Sequence, residues 1–358
     1  MKRLFAAVVA VSVVGASGGL GTGVASAQPN PFEPAPRPSP VGEAATADVV
    51  YALGGARAPG IPWYDYTNRA GADYFPKAKR DLVDYPAGAP FSWVPTIFSP
   101  VGGQDRMSIG QAADVATNNL DAALRRNGDT PAAVVGLSQG TLGLADEQVR
   151  LAHDPKAPPA DQLTFTQIGN PIGHHGFGKS FLTGIFAPGD YIPLIDYTVP
   201  ADVDSQYDTN KVVATYDGLA DYPDRADNLL AGANALAASA IVHTPAAFTG
   251  PGDVPPQNVK TVVNSRGATE TTYLIPVKSL PLTLPLRYLG VAPGDVDALD
   301  AILRPQIDSG YSRYDNPLNR PVSVDPAHGM DPIAILDPET RGAIESAFAT
   351  VREFMPPA

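Results

Sequence analysis

The chain has 358 residues, 44% of them hydrophobic, which is enough to build one large domain or two modest ones. Its net charge of −12 argues against a nucleic-acid partner, which wants a basic face, and offers no attraction to an anionic membrane surface. The absence of cysteine excludes disulfides, a thiol nucleophile and thiolate metal sites.

The N-terminus reads as an export signal. Lys2 and Arg3 precede an apolar run, Leu4 to Val14, that is too short to span a bilayer, and Ala25-Ser26-Ala27 follows as a small-x-small cleavage pattern. Cleavage after Ala27 makes residues 1–27 a signal peptide. The alternative is an uncleaved membrane anchor, because no charge interrupts the stretch from Leu4 to Phe32. Either way the folded part is expected outside the cytoplasm, secreted or in the cell envelope. Export without cysteine fits a bacterium better than a eukaryotic secretory route. The proline-dense segment Gln28 to Gly42 reads as an extended linker, so residues 28–45 are set apart and the fold is expected over 46–358.

Ala47 to Gly55 is an apolar run closed by two glycines, a buried strand stopping in a tight loop. A helix follows Ser108, its N-cap. Its apolar stripe is Ile109, Ala112, Ala113, Ala116, Leu120, Ala123 and Leu124, and Gly128 stops it. Ala132–Leu137 reads as a second strand and Thr141–His153 as a second helix. "QLTFTQIGNP" and "NKVVATYDG" each read as a strand ended by a glycine turn, and a further helix ends near His243. Strands alternating with helices predict an α/β class, a doubly wound and mostly parallel sheet whose ligands sit at the carboxyl ends of the strands. Beyond His243 the sequence suggests a hairpin turning at Arg266-Gly267, a short helix around Asp295–Arg304 and an amphipathic helix Pro338–Phe354. Residues 245–358 are read either as a cap over a site or as a C-terminal extension carrying the last strands.

Gly136-Leu137-Ser138-Gln139-Gly140 joins the second strand to its helix. A G-x-S-x-G pentapeptide is weak evidence in a chain with 34 glycines. The strand–turn–helix context strengthens it, because a nucleophilic serine needs such a sharp turn and side chains at the flanking positions would collide with neighbouring backbone. The helix N-terminus aims its dipole and N–H groups at the reaction centre, which makes the Gln139 amide a candidate oxyanion donor.

Ser138 needs a base. His153 lies at the far end of the helix after Ser138, about 20 Å away at the helical rise, and cannot reach. His174 and His175 precede any acidic partner, and His328 sits in a turn-rich loop. His243 fits the order serine, acid, histidine. Two acids follow the fourth strand, Asp217 and Asp221. Asp221, in a Gly-x-x-Asp-x-Pro texture, is preferred over Asp217, and Asp190, Asp196, Asp202 and Asp204 rank below both. No metal-ligand spacing and no phosphate-cradling loop is found, so neither a metal nor a cofactor is expected.

"GLSQG", "IGNP", "YDGLADYP", "ANALAASAIVHT" and "TTYLIPVKSLPLTLPLR" together resemble the PE-PPE-domain serine hydrolases of mycobacteria and their relatives, which are similar to cutinases. The resemblance runs from about Val49 to Tyr311. It implies an α/β-hydrolase fold, a triad mapped to Ser138, Asp221 and His243, and chemistry on acyl esters, either as an esterase or lipase or as an acyltransferase onto trehalose glycolipids. A signal segment stands where such proteins carry a PE or PPE domain. The first loop reads Gly54-Gly55-Ala56-Arg57 rather than Gly-Gly-Thr-Gly, so the backbone N–H of Ala56 is the second oxyanion candidate.

Two functions of different kinds follow. One is a secreted or envelope serine enzyme that passes an acyl group through Ser138 to water or to a sugar hydroxyl. The other is a non-catalytic lipid- or glycan-binding envelope protein on the same fold. The expected partner is an acyl ester or glycolipid, with peripheral membrane or envelope association left open. The Leu/Pro-rich "SLPLTLPLRYLG" is read as ordinary packing or as a surface along an acyl chain.

Overall fold

The computed structural model describes residues 47–57, 62–88, 107–128, 130–201 and 204–353. The signal and linker, residues 1–45, and Asp202 and Phe354 lie outside them.

Seven strands form one sheet: β1 (Val49–Leu53), β2 (Lys79–Leu82), β3 (Ala132–Leu137), β4 (Leu163–Ile168), β5 (Thr209–Ala214), β6 (Val259–Val263) and β7 (Thr269–Ile275). Their order across the sheet is β6-β7-β5-β4-β3-β1-β2, and every pairing is parallel except β6 with β7. Among the described residues the α-helices are α1 (Trp63–Arg69), α2 (Ile109–Asn127), α3 (Gly140–His153), α4 (Leu229–Ile241), α5 (Leu284–Tyr288), α6 (Pro293–Asp308) and α7 (Pro338–Glu353). This is the doubly wound α/β-hydrolase architecture expected from the sequence.

The period-two geometry of a strand divides the core. In β3, Ala133, Val135 and Leu137 join the cluster on one face, with Val212 of β5 and with Ala231 and Ala238 of α4. Ala132 and Val134 join the other face, with Phe165 of β4 and with Ala112, Ala116 and Leu120 of α2. Both faces are covered, so β3 is buried at every residue. Ser108 caps α2 through a capping box with Gln111, and Gly128 ends that helix.

The stretch read as cap or extension divides its duties. Residues 259–275 supply the outermost strand pair of the sheet, turning at Gly267. Residues 332–344 instead reach the site described below. The chain leaves β1 towards β2 on one side and returns as β3 on the other. The loops after β1 and β3 therefore part, opening a crevice at the carboxyl ends of the strands.

Candidate active site

β3 ends at Leu137, and Ser138 has φ 49°, a left-handed backbone that few L-residues adopt. The reversal at Ser138 is fixed on its strand side by its own N–H donating to the Ile168 carbonyl at 2.8 Å. On its helix side the Ser138 carbonyl accepts from the Thr141 N–H at 2.9 Å and from the Thr141 hydroxyl at 2.6 Å. Gly140 allows α3 to start against the end of β1: a Cβ there would lie 2.5 Å from the Leu53 carbonyl oxygen.

His243 lies two residues beyond α4. Its Nε2 is 2.7 Å from Ser138 Oγ and its Nδ1 is 2.6 Å from Asp217 Oδ2. The imidazole rests on Gly169, whose φ of 59° and missing side chain leave the room: a Cβ there would lie 2.9 Å from His243 Cε1. The other Asp217 oxygen, Oδ1, accepts the Leu219 N–H at 3.0 Å, so the carboxylate is aimed from both ends.

The carboxylate that the structure sets against His243 is Asp217, not the preferred Asp221. Tyr216, with φ 71°, turns the chain at the end of β5 and presents Asp217 to the imidazole. Asp221 comes one turn later, its N–H bonded to the Asp217 carbonyl. It accepts from the Tyr216 N–H at 2.8 Å and pairs with Arg313 through two bonds of 2.5 and 2.7 Å. Burial alone would raise the Asp221 carboxyl, but the Arg313 guanidinium, joined by His175, outweighs it and holds it below the usual carboxylate range. Asp221 is therefore committed to an ion pair behind the loop that carries Asp217.

The other candidates lie elsewhere. His175 Nε2 is 3.5 Å from Asp221 Oδ1, His153 bonds the Val149 carbonyl on the exposed end of α3, and His328 pairs with Asp325 in solvent. Asp190 caps the Ala187 N–H, Asp196 accepts from Ser108 and Tyr191, and Asp204 caps Ser265.

The loop after β1 is pinned by its carbonyls. Tyr85 O–H donates to the Gly54 oxygen at 2.5 Å, and Trp63 Nε1–H donates to the Gly55 oxygen at 2.7 Å. In a trans peptide the N–H points opposite to the C=O, so the Ala56 N–H faces away from Trp63. Among the described residues, neither the Ala56 nor the Gln139 N–H has a hydrogen-bond acceptor in the protein. Gly55 stands beside the serine, a Cβ there lying 3.2 Å from Ser138 Cβ.

Ser138 and His243 open into a cavity of about 320 Å³ lined by Ala56, Trp63, Tyr66 and Leu219 and by Ile333, Leu336 and Ile344. Burial, helped by a hydrogen bond to Asp337, pushes the Tyr66 hydroxyl up to about 12. No metal-holding group of His, Asp or Glu occurs among the described residues.

Sequence reasoning misses this wall. The spacing of Ile333, Leu336, Thr340 and Ile344 is helical in the sequence, although only Thr340 and Ile344 lie on α7 and the other two in the turns before it. "SLPLTLPLRYLG", considered as an acyl surface, contributes no lining residue and instead forms α5.

The model for the PE-PPE domain matches residues 76–312, two thirds of the chain. The chain belongs to the PE-PPE domain family. Its relatives include "Diacyltrehalose acyltransferase Chp2" of Mycobacterium tuberculosis (strain ATCC 25618 / H37Rv), 61% identical over 339 residues that cover 93% of this chain and 94% of that one. "SL1278 acyltransferase Chp1" of the same strain is 40% identical over 87% of this chain and 70% of its own length. "Esterase PE16", also of that strain, is 33% identical over 75% of this chain and 51% of its own. The PE-PPE match takes in Ser138, Asp217, Asp221 and His243 and stops short of the Pro332–Ile344 wall.

Proposed function

We propose that this PE-PPE protein is an acyltransferase working on acyl esters of trehalose glycolipids through an acyl-enzyme on Ser138, with Asp217 as the acid of the triad. The observation that carries the reading is the relay Asp217–His243–Ser138, with contacts of 2.6 and 2.7 Å, at the mouth of an apolar cavity.

His243 takes the proton as Ser138 Oγ attacks the acyl carbonyl. Asp217 fixes the imidazole and stabilises its charged form. The Gln139 and Ala56 N–H groups are the oxyanion donors, without an acceptor among the described residues and so available to the developing charge. The ester C–O bond breaks, the leaving alcohol takes the proton from His243, and the acyl group stays on Ser138. An acceptor hydroxyl then gives its proton to His243 and attacks the acyl-enzyme, the Ser138 Oγ–acyl bond breaks, and His243 returns the proton to Oγ. The chain's 61% identity with a diacyltrehalose acyltransferase, along nearly the whole of both, favours a sugar acceptor over water.

Export to the envelope is part of the same reading, supported by the signal pattern of residues 1–27. No helix among the described residues is long and apolar enough to cross a membrane.

The test is mass spectrometry of the protein incubated with a long-chain p-nitrophenyl ester, with and without trehalose. An acyl adduct on Ser138 that trehalose discharges to acyl-trehalose is expected. An adduct discharged equally by water alone would make the protein an esterase. No adduct would leave the lipid- or glycan-binding protein.

A further inference from the structure

The cavity at Ser138 has walls of two origins. Ser138, Leu219 and His243 lie within residues 76–312, the stretch shared with the PE-PPE family, whereas Trp63 and Tyr66 precede it and Ile333, Leu336 and Ile344 follow it. The two outer stretches are clipped together over the site. Tyr66 O–H donates to Asp337 Oδ2 at 2.5 Å and lies 3.2 Å from Thr340 Oγ1. Further along, Phe348 of α7 stacks on Tyr288 at 5.3 Å, so the helix is anchored on both sides of Ile344.

No Asp, Glu, Lys or Arg lines this cavity among the described residues. A sugar ring needs a set of fixed donors and acceptors, while a hydrocarbon chain needs only volume and apolar contact. The outer part is mainly isoleucine, leucine, proline and aromatic rings, and the hydroxyls of Tyr66, Thr67 and Thr340 in it are engaged with Asp337, the Trp63 carbonyl and one another, so it meets the second need. Its 320 Å³ is roughly twice the cavity of about 150 Å³ that takes up benzene, which makes room for on the order of a dozen carbons.

We infer that these outer walls form the subsite for the acyl chain and that Ile333, Leu336 and Ile344 set the chain length accepted. The inference rests on the acyl-enzyme reading and adds the part of the substrate that the triad does not touch. The triad comes from the shared region and the gauge residues Ile333, Leu336 and Ile344 from a segment after it, so the gauge can vary while the triad stays fixed.

Two experiments test it. The first compares kcat/KM for p-nitrophenyl dodecanoate with that for the butyrate. Ile344→Trp should lower the ratio at least about tenfold, since each methylene kept from burial loses a factor of about four. Leu336→Ala should raise the ratio for the hexadecanoate over the dodecanoate. Thermal unfolding of each variant identifies one that fails to fold, and the opposite directions expected of the two changes separate a gauge from general damage.

The second experiment needs no turnover. Calorimetric titration of Ser138→Ala with dodecanoate should show binding, weakened at least about tenfold when Ile344→Trp is added. If the titration behaves so while the parent neither turns over esters nor acquires an adduct, the subsite stands and the reaction reading falls. If esters turn over but neither the ratios nor the titration respond to the wall changes, the length gauge is overturned and the reaction reading stands.

Discussion

Asp217 and Asp221 lie four residues apart on one loop, both fully buried, and face different partners: the His243 imidazole for Asp217, the Arg313 guanidinium for Asp221. The two carboxylates therefore have separable effects. Asp217→Asn should lower turnover on a short acyl ester by roughly 10⁴ with little change in thermal stability, because the amide favours the wrong imidazole tautomer. Asp221→Asn should chiefly destabilise, by about 3–5 kcal/mol, because it leaves the Arg313 charge buried and uncompensated. Turnover and melting temperature of both variants decide it, and the opposite pattern would restore Asp221 as the acid.

Ser138→Ala and His243→Ala should each reduce turnover by on the order of 10⁴ or more, and the double variant should be little worse than either. His328→Ala, in solvent beside Asp325, should stay close to the parent rate. Additive losses in the double variant would show that the two residues do not act as a unit.

Gly140→Ala tests the close approach of α3 to the end of β1. The new Cβ would meet the Leu53 and Gly54 carbonyl oxygens at 2.5 and 2.6 Å, and backbone on both sides must give way. A stability loss of about 1–3 kcal/mol is expected from the overpacking. The loss in rate should be larger in proportion, about 10²-fold for a shift near 1 Å between Ser138 and the loop holding Ala56. Unchanged kinetics would mean that the loop after β1 is not coupled to the serine.

Stability should fall as the solution is made less acidic through the neutral range. Glu147, on α3, is buried beside Arg150, whose Nε is 2.7 Å away, and burial outweighs that partner and pushes the carboxyl from 4.5 up to about 7. The folded chain then keeps a proton that the unfolded chain releases. This contribution is complete below the unfolded value and is lost as pH rises through the folded one. Asp146, pushed up to about 6 by burial, acts in the same direction. Melting temperatures at about pH 5 and pH 7.5 should differ less in Glu147→Gln than in the parent. Equal differences would remove Glu147 from the account.

The central strands and the helices beside them are legible in the sequence because their signals are local: apolar runs closed by glycine, the Ser108 cap, the pentapeptide between β3 and α3. β2 is not, since Lys79, Arg80 and Asp81 show no apolar pattern and the strand exists through its pairing with β1 at the sheet edge. The choice between Asp217 and Asp221 depends on the arrival of Arg313, 92 residues beyond Asp221, and on the left-handed turn at Tyr216. Neither leaves a mark on the loop's own residues. Ile333, Leu336 and Ile344 show a helical spacing in the sequence, but Ile333 and Leu336 lie in the turns before α7, and the spacing does not say what the three residues meet.

Tyr66 and Asp337 are 271 residues apart in the chain. Their bond closes a loop of about three quarters of the chain, and contacts of such high sequence separation are costly until the entropy of the intervening chain has been reduced by other structure. The relay of Ser138, His243 and Asp217 depends on β3, α4 and β5 and can assemble before α7 docks. Were α7 to undock from the C-terminal side, the elements that carry the relay would keep their contacts while the hydrophobic wall opened, and on the reading above selectivity for chain length would be lost before the chemistry.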